Sequence, residues 1–380
     1  MIYLNNAATS YPKPASVVQA VKNHFLHKPC EPGRGSDGDN KDVLTECRAK
    51  IGSIFNIKEI SRIILTSGST SALNYTIQGL IHAHNKAHCI TTTMEHNSVL
   101  RPLNHLVKNQ NLTVTHLPSQ HIFNIEKFEE AINNWTKFVI LNHVSNVTGT
   151  ISPIKEIAEK CAAKKIPLII DASQSAGSLE INMQDFPGNI ILIFTGHKGL
   201  MGPMGTGGFY IGSDIELFEP VIQGGTGVRS DLMFQPKELP MYYEAGTMNL
   251  PGFAGLAAGV EFVKKVGVKN IGQHKDSLFS LLKELFIKND KLTLYEPLYK
   301  NYSGGVLSLN IKGWNPADVG IALQESFGII SRTGLHCAPL IHKELGSWPL
   351  GSVRLSCSWF TTRQEIEKTA FAINTILKSK

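Results

Sequence analysis

No stretch of this 380-residue chain approaches the roughly 18 consecutive apolar residues that a bilayer span requires, so a membrane protein is not expected. The opening MIYLNNAATS has no basic start leading into an apolar run, and no export signal is expected from it. Also missing is any CxxC pair. The six cysteines, Cys30, Cys47, Cys89, Cys161, Cys337 and Cys357, are scattered, which argues against a paired-thiol metal ribbon or a disulfide framework. They read as free thiols in a reducing compartment, and a cytoplasmic location is expected. Lys and Arg total 37 against 31 Asp and Glu, for a formal charge of +6, but no basic run gathers that excess. It suits anionic ligands better than nucleic acid, and no nucleic-acid partner is expected. There is no repeat and no low-complexity tract. With 42% apolar and 18% charged residues, the chain has ordinary globular composition and is long enough for a large core in two domains.

Seven short β-rich runs punctuate the first half: RIILT (62–66), HCITTT (88–93), LTVTHL (112–117), KFVILNHV (137–144), IPLIID (166–171), NIILIF (189–194) and GGFYIG (207–212). Helical patterns lie between them. In PIKEIAEKCAAKK, for instance, Ile154, Ile157, Ala158 and Cys161 recur at helical spacing, and Pro153 suits a first turn. Such alternation predicts a mostly parallel sheet with helices on both faces. Beyond about Gly255 the pattern changes. Helices in GLAAGVEFVKKVG, KDSLFSLLKELFIKN, PADVGIALQESF and TRQEIEKTAFAINTILKSK surround a strand-like GGVLSLNI. The expected division is a large domain over 15–255 and a small α+β domain over 1–14 and 256–380, onto which the first dozen residues dock.

In open α/β sheets, ligands bind beyond the carboxyl ends of the strands, so the residues that follow each strand matter most. After RIILT, Gly68, Ser69 and Thr70 open a helix, offering backbone N–H groups, two hydroxyls and a positive dipole end; this suits a phosphate, and equally suits plain helix capping. IPLIID ends in Asp171, which is either a turn-forming residue or a buried carboxylate for a cationic ring nitrogen. NIILIF runs into TGHKGLMGPMGTGG, where Lys198 follows a buried-looking strand. Desolvation there would lower its pKa and free its amine to form a Schiff base. A phosphate cradle, an acid for a pyridinium and a Schiff-base lysine, together on one parallel sheet, are the requirements of pyridoxal phosphate.

The motifs SGSTSALN, TMEHNSV, NHVSNVTGT, IIDASQSAG, FTGHKGLMGP, YEAGTMN and RTGLHCAP resemble, in order, those of class V pyridoxal-phosphate enzymes. Among these the chain is most similar to the cysteine desulfurases, in the group that includes the selenocysteine-lyase-like enzymes. The resemblance runs from NNAAT (5–9) to VRLSCSWFTT (353–362). It implies a fold-type I architecture and assigns roles. Lys198 holds the cofactor and moves the Cα proton. His96 stacks on the ring and assists proton transfer. Asp171 binds the ring nitrogen, and Gln174 the phenolic oxygen. Gly68, Ser69, Thr70, Thr195 and His197 serve the phosphate, with Thr247 reaching in from a second subunit. Asn146 lies near ring and substrate, while Arg354, with Arg332, clamps the substrate carboxylate. Leu335 stands where many relatives carry a second histidine, and GRGSDGD (33–39) also departs from the best-studied members.

Cys337 admits four readings: a packed inert thiol, a metal ligand with His336, His342 or Cys357, a spectator on an aminotransferase, or a nucleophile. The Gly and the polar residues before it suggest an exposed loop, and no zinc-type spacing surrounds it. As a thiolate near Arg332, His336 or Arg354 it would be strongly nucleophilic. The expected reaction converts L-cysteine to L-alanine and leaves the sulfur as a persulfide on Cys337. The resemblance implies a homodimer and a dedicated sulfur-acceptor protein, serving iron–sulfur clusters or another sulfur-trafficking pathway. Alternatives are selenocysteine lyase, cysteine-sulfinate desulfinase, another class V aminotransferase, or a scaffold that only binds a partner.

Overall fold

The computed structural model describes residues 1–26, 42–82, 84, 86–109, 112–286, 289–299 and 304–379. Cys30 and GRGSDGD lie outside the described residues. The chain opens with β1 (Ile2–Tyr3), α1 (Ala15–Leu26) and α2 (Val43–Phe55), then alternates β2 (Ile63–Thr66), α3 (Ser69–His82), β3 (Ala87–Thr92), α4 (Asn97–Asn109) and β4 (Leu112–Leu117). There follow α5 (Ile125–Ala131), β5 (Thr136–Asn142), α6 (Ile154–Ala163), β6 (Leu168–Asp171), β7 (Ile190–Thr195) and β8 (Gly207–Ile211). All seven β-rich runs form one sheet, in the order β2-β8-β7-β6-β5-β3-β4. It is parallel except for β8, which runs against both neighbours.

Alternation along the strands builds two cores, because successive side chains of a strand face opposite sides. Ile63, Leu65, Val139, Leu141, Ile170 and Leu192 pack beneath α2, α5, α6 and α7 (Leu250–Val266). Ile64, Phe138, Ile140, Ile169, Ile191 and Phe209 pack against α3 and α4 on the opposite face. Burial on both faces explains why these strands read as continuous apolar runs. Pro153 is the N-cap of α6 and so sits one position outside the helical turn expected of it.

The rest of the chain adds α8 (Val268–Leu285), β9 (Leu292–Tyr295), β10 (Val306–Ile311), α9 (Pro316–Phe327), β11 (Ile329–Ile330), β12 (Arg332–Gly334), α10 (Pro339–Glu344), β13 (Ser352–Ser356) and α11 (Arg363–Lys378). Four strands form an antiparallel sheet ordered β12-β13-β10-β9. Leu307, Leu309, Val353 and Leu355 from it meet Phe279, Leu323 and Ile373 of α8, α9 and α11 in a separate core. The helix α7 runs continuously through position 255 and packs into the core of the large sheet.

The first dozen residues form a strap. Ile2 and Tyr3 pair in parallel with Ile329 and Ile330. The Ala7 amide then donates to Ser356 Oγ at 2.8 Å, and the Ser10 amide to the His197 carbonyl at 3.0 Å. This segment therefore touches the end of β13 and the turn after β7, joining the two sheets as well as docking on the smaller one.

Candidate active site

The turns after β2, β3, β5, β6 and β7 converge with the strap and with β12 and β13 on a cavity of about 190 Å³. Ser69, Thr70, His96, Asn146, Asp171, Gln174, His197, Lys198, Arg332 and Arg354, each picked out from sequence, all line it. Gly68 and Thr195 stand just behind. Gly68 has φ +148°, a backbone state that favours glycine, and its carbonyl receives the Ala72 amide at 3.1 Å to start α3. A Cβ on Gly207 would come within 2.7 Å of Gly68 Cα, so β8 must carry glycine there for the turn to form.

Lys198 is held by another close approach. A Cβ on Gly199 would lie 2.2 Å from the Ala176 carbonyl, which lets the lysine turn press against the segment after Asp171. The Lys198 side chain lines the cavity, yet its amine is desolvated enough to push its pKa down to about 8, with Asp171 opposing that shift and Arg354 adding to it. Among the described residues its Nζ has no hydrogen-bond or ion-pair partner. Asp171 is buried, and its Oδ1 accepts from the Ser173 amide at 2.9 Å.

His96 is oriented by Ser98. The Ser98 amide donates to Nδ1 at 3.0 Å, so the neutral ring carries its proton on Nε2. Burial, helped by Lys198, lowers the His96 pKa and keeps that ring neutral. Ser98 Oγ lies 2.7 Å from the same Nδ1 and 2.9 Å from Thr70 Oγ1, linking the turn after β3 to the start of α3. Gln174 Nε2 donates to the Ala7 carbonyl at 3.0 Å. His197 is pushed down to about 4 by burial, and its buried Nδ1 has no partner.

Arg332 and Arg354 face each other across β12 and β13. Arg354 is 1% exposed, donates to the Asn146 carbonyl at 3.0 Å and to Asn5 Oδ1 at 3.4 Å, and leaves its Nε without a partner. Burial first and Arg332 second lower its pKa to about 9, so it remains a cation at neutral pH. Two adjacent guanidinium groups with no carboxylate between them are suited to an incoming carboxylate.

Cys337 sits differently from the exposed loop expected of it. It is half-buried, and His336 beside it is almost wholly buried. Both have left-handed backbone, with φ +49° and +60°. The Asn146 side-chain amide donates to the His336 carbonyl at 2.8 Å, and the Asn97 amide to the Cys337 carbonyl at 2.6 Å. These bonds come from the large sheet's turns and fasten the loop to it. Arg332 Nη2 reaches Cys337 Sγ at 3.3 Å. The thiol lines a neighbouring cavity of about 510 Å³ between α3 and α4, which shares Thr70, His96 and Ser98 with the first. The other described cysteines are buried; burial pushes Cys47, Cys161 and Cys357 up to about 12 and raises Cys89 as well.

Thr247 is not brought to this cavity by its own chain; it lines a different one with Ser67, Ser71 and Tyr75. The sequence reading missed Ser98, Asn142 and Ser173, which line the first cavity, and weighed His336 only as a neighbour of Cys337. All four lay inside quoted motifs, each within a few positions of a residue already chosen. Asn142 and Ser173 flank strand ends and gave no signal of their own.

The residues present fit pyridoxal phosphate. Hydroxyls and a helix start can take a phosphate, the carboxylate can take a ring nitrogen, and the lysine amine lacks any other partner among the described residues. The sequence profile of the aminotransferase class-V family matches residues 2–369. A probable cysteine desulfurase of Halalkalibacterium halodurans is 31% identical, over 97% of this chain and 91% of its own length. One from Pyrococcus abyssi is 31% identical over 100% and 95%. Among solved structures, the apo cysteine desulfurase of Thermococcus onnurineus NA1 superposes with a TM-score of 0.88 at 29% identity, covering 100% of this chain and 95% of that one. The chain belongs to the aminotransferase class-V family, whose cofactor is pyridoxal phosphate, and is a relative of its cysteine desulfurases.

Proposed function

We propose that this protein is a cysteine desulfurase that converts L-cysteine to L-alanine and takes the sulfur onto Cys337. One observation carries the reading: Arg332 lines the lysine-bearing cavity and also holds Cys337 Sγ at 3.3 Å, so the thiol and the carboxylate-binding wall form one unit. When bound, pyridoxal phosphate supplies an electron sink for the charge left at Cα after proton removal. Lys198 anchors the cofactor and moves that proton, since an amine with a pKa near 8 exchanges protons readily at neutral pH. Asp171 keeps the ring nitrogen protonated, while Ser69, Thr70, Thr195 and His197 hold the phosphate and Gln174 the phenolic oxygen. Arg354 and Arg332 fix the substrate carboxylate beside Asn146. The Cys337 thiolate then attacks the substrate sulfur. A new S–S bond forms, the C–S bond breaks with its electron pair left on carbon, and protonation there completes alanine.

The sulfur next passes to an acceptor protein or a reducing thiol. In support, the Cys337 thiol lines the cavity between α3 and α4, from which a second thiol can approach it. We assign the protein to a homodimer in which the partner's copy of Thr247 completes the phosphate site. The segment before Thr247 exposes Met233 and Phe234 at 95% and 88%, apolar surface suited to a second copy. We also divide the chain into a large domain that begins at 15 and extends past 255 to the end of α7, and a small one over 1–14 and the residues after α7, and place its work in the cytoplasm, with its five described cysteines all free thiols.

The deciding experiment measures sulfide and alanine from L-cysteine plus a reducing thiol, for wild type and Cys337→Ala. Equal yields that vanish in the variant are expected. Turnover that survives the substitution would move the function to selenocysteine, cysteine sulfinate or aminotransfer, each assayed in parallel.

A further inference from the structure

Glu95 lies in the turn between β3 and α4, one residue before His96, with no surface exposed. Its Oε1 accepts from Thr92 Oγ1 at 2.7 Å and from the Asn142 amide at 3.1 Å. Its Oε2 has no partner, and two more oxygens on the flanking strands, Thr91 Oγ1 and Asn142 Oδ1, are equally buried and unpartnered. Among the described residues no cation pairs with it. The groups that face it are Asp171 from β6, of the same sign, and the buried thiol of Cys89 from β3. Two neutral hydrogen bonds do not replace the hydration of an ionised carboxylate. A protonated Oε2 carries no charge and so needs no cation to be buried there. Burial accordingly pushes the Glu95 carboxyl up to about 8.

We propose that Glu95 is a positioning residue held as the neutral acid, which fixes Asn142 and the His96 turn from behind the cavity. The inference rests on the reading above, in which Asp171 serves the ring nitrogen and His96 the ring face. Asn142 pairs with Asp171 across β5 and β6, and its Nδ2 donates to the Met94 carbonyl at 2.7 Å, so Glu95 acts on both through one residue. Ionisation would leave an uncompensated charge on Oε2 behind Asn142 and the His96 turn.

The test compares wild type with Glu95→Gln and Glu95→Asp as holoenzymes. Glu95→Gln keeps a neutral group of the same shape and should retain kcat/KM within about threefold at pH 7. Glu95→Asp withdraws the contacts and should lose about tenfold or more. The visible circular dichroism of the bound cofactor, titrated from pH 6 to pH 9, should show a transition near pH 8 in wild type that Glu95→Gln lacks. Infrared spectra should show a protonated-carboxyl C=O band in wild type that disappears on raising the pH and is missing from Glu95→Gln. A tenfold loss in Glu95→Gln, an unchanged transition, or the absence of that band overturns the proposal. Should Glu95→Gln fail to fold, the pH-difference infrared spectrum of wild type decides alone. The infrared readout needs no turnover, so a wild type that releases neither sulfide nor alanine would refute the desulfurase reading while leaving this one to be judged separately.

Discussion

The two walls of the cavity reach reactivity by different physics. On the large-sheet wall the decisive quantity is burial: Lys198, His96 and His197 are all shifted toward their neutral forms chiefly by loss of water. On the small-sheet wall it is tethering. Cys337 is only half-buried, and its place is set by left-handed backbone, by Asn97 and Asn146, and by the Arg332 guanidinium. The four described cysteines that are fully buried are pushed away from the thiolate form. The same desolvation that makes a lysine useful would therefore silence a cysteine. The amine must become neutral to act and the thiol must become charged, so they require opposite surroundings within one site.

The contrast can be broken most severely at its ends. Lys198→Ala should lose the bound cofactor's visible absorbance and reduce turnover about 10³-fold or more. Cys337→Ala should likewise stop sulfide release while keeping that absorbance, so the two variants separate cofactor chemistry from sulfur transfer. Arg354→Lys keeps charge but loses the planar fork, and kcat/KM for L-cysteine should fall by about 10- to 100-fold, mainly through KM. Asn146→Ala, which removes the bond to the His336 carbonyl, tests the tether. It should cost about 1 kcal/mol of stability by thermal denaturation and slow sulfur transfer about severalfold with cofactor absorbance unchanged.

A gentler comparison uses pH. His197 and His143, near pKa 4, and His336, near 2, all have folded values depressed below the ordinary 6.5, with burial the leading cause. The unfolded chain then binds more protons than the folded one, so stability is full above about pH 6.5 and is lost as pH falls toward 4. Glu95 is shifted the other way. Its contribution is full below its ordinary value of 4.5 and is lost as pH rises toward about 8. Melting temperatures measured from pH 4 to pH 9 should fall at both ends, and Glu95→Gln should remove the alkaline part of the fall.

Strand identity was plain in the sequence, because strands buried on both faces must be apolar throughout. Their order and the reversal of β8 were not, since those depend on how the glycine-rich segment from Gly196 to Gly208 doubles back. The large-sheet wall could be read because its residues follow strand ends within a few positions. The placement of Cys337 could not. Its local sequence looks polar and open, and what fastens it comes from Asn97 and Asn146, some 200 residues earlier. Glu95 was quoted within a motif yet passed over, because a carboxylate next to a histidine carries no mark of being wholly buried. Thr247 remains an assignment that only a second subunit can fulfil.

The strap at the start of the chain has a consequence for synthesis on the ribosome. Its first strand pairs with Ile329 and Ile330, and Ala7 bonds to Ser356, so these residues are made well before their partners. At roughly 5–20 residues per second, that interval is on the order of tens of seconds. Once β8 has been made, the large sheet has all seven of its strands while the wall carrying Arg354 is still to come. Lys198 is therefore in place before the guanidinium pair opposite it, and the cavity closes only once β12 and β13 have been made.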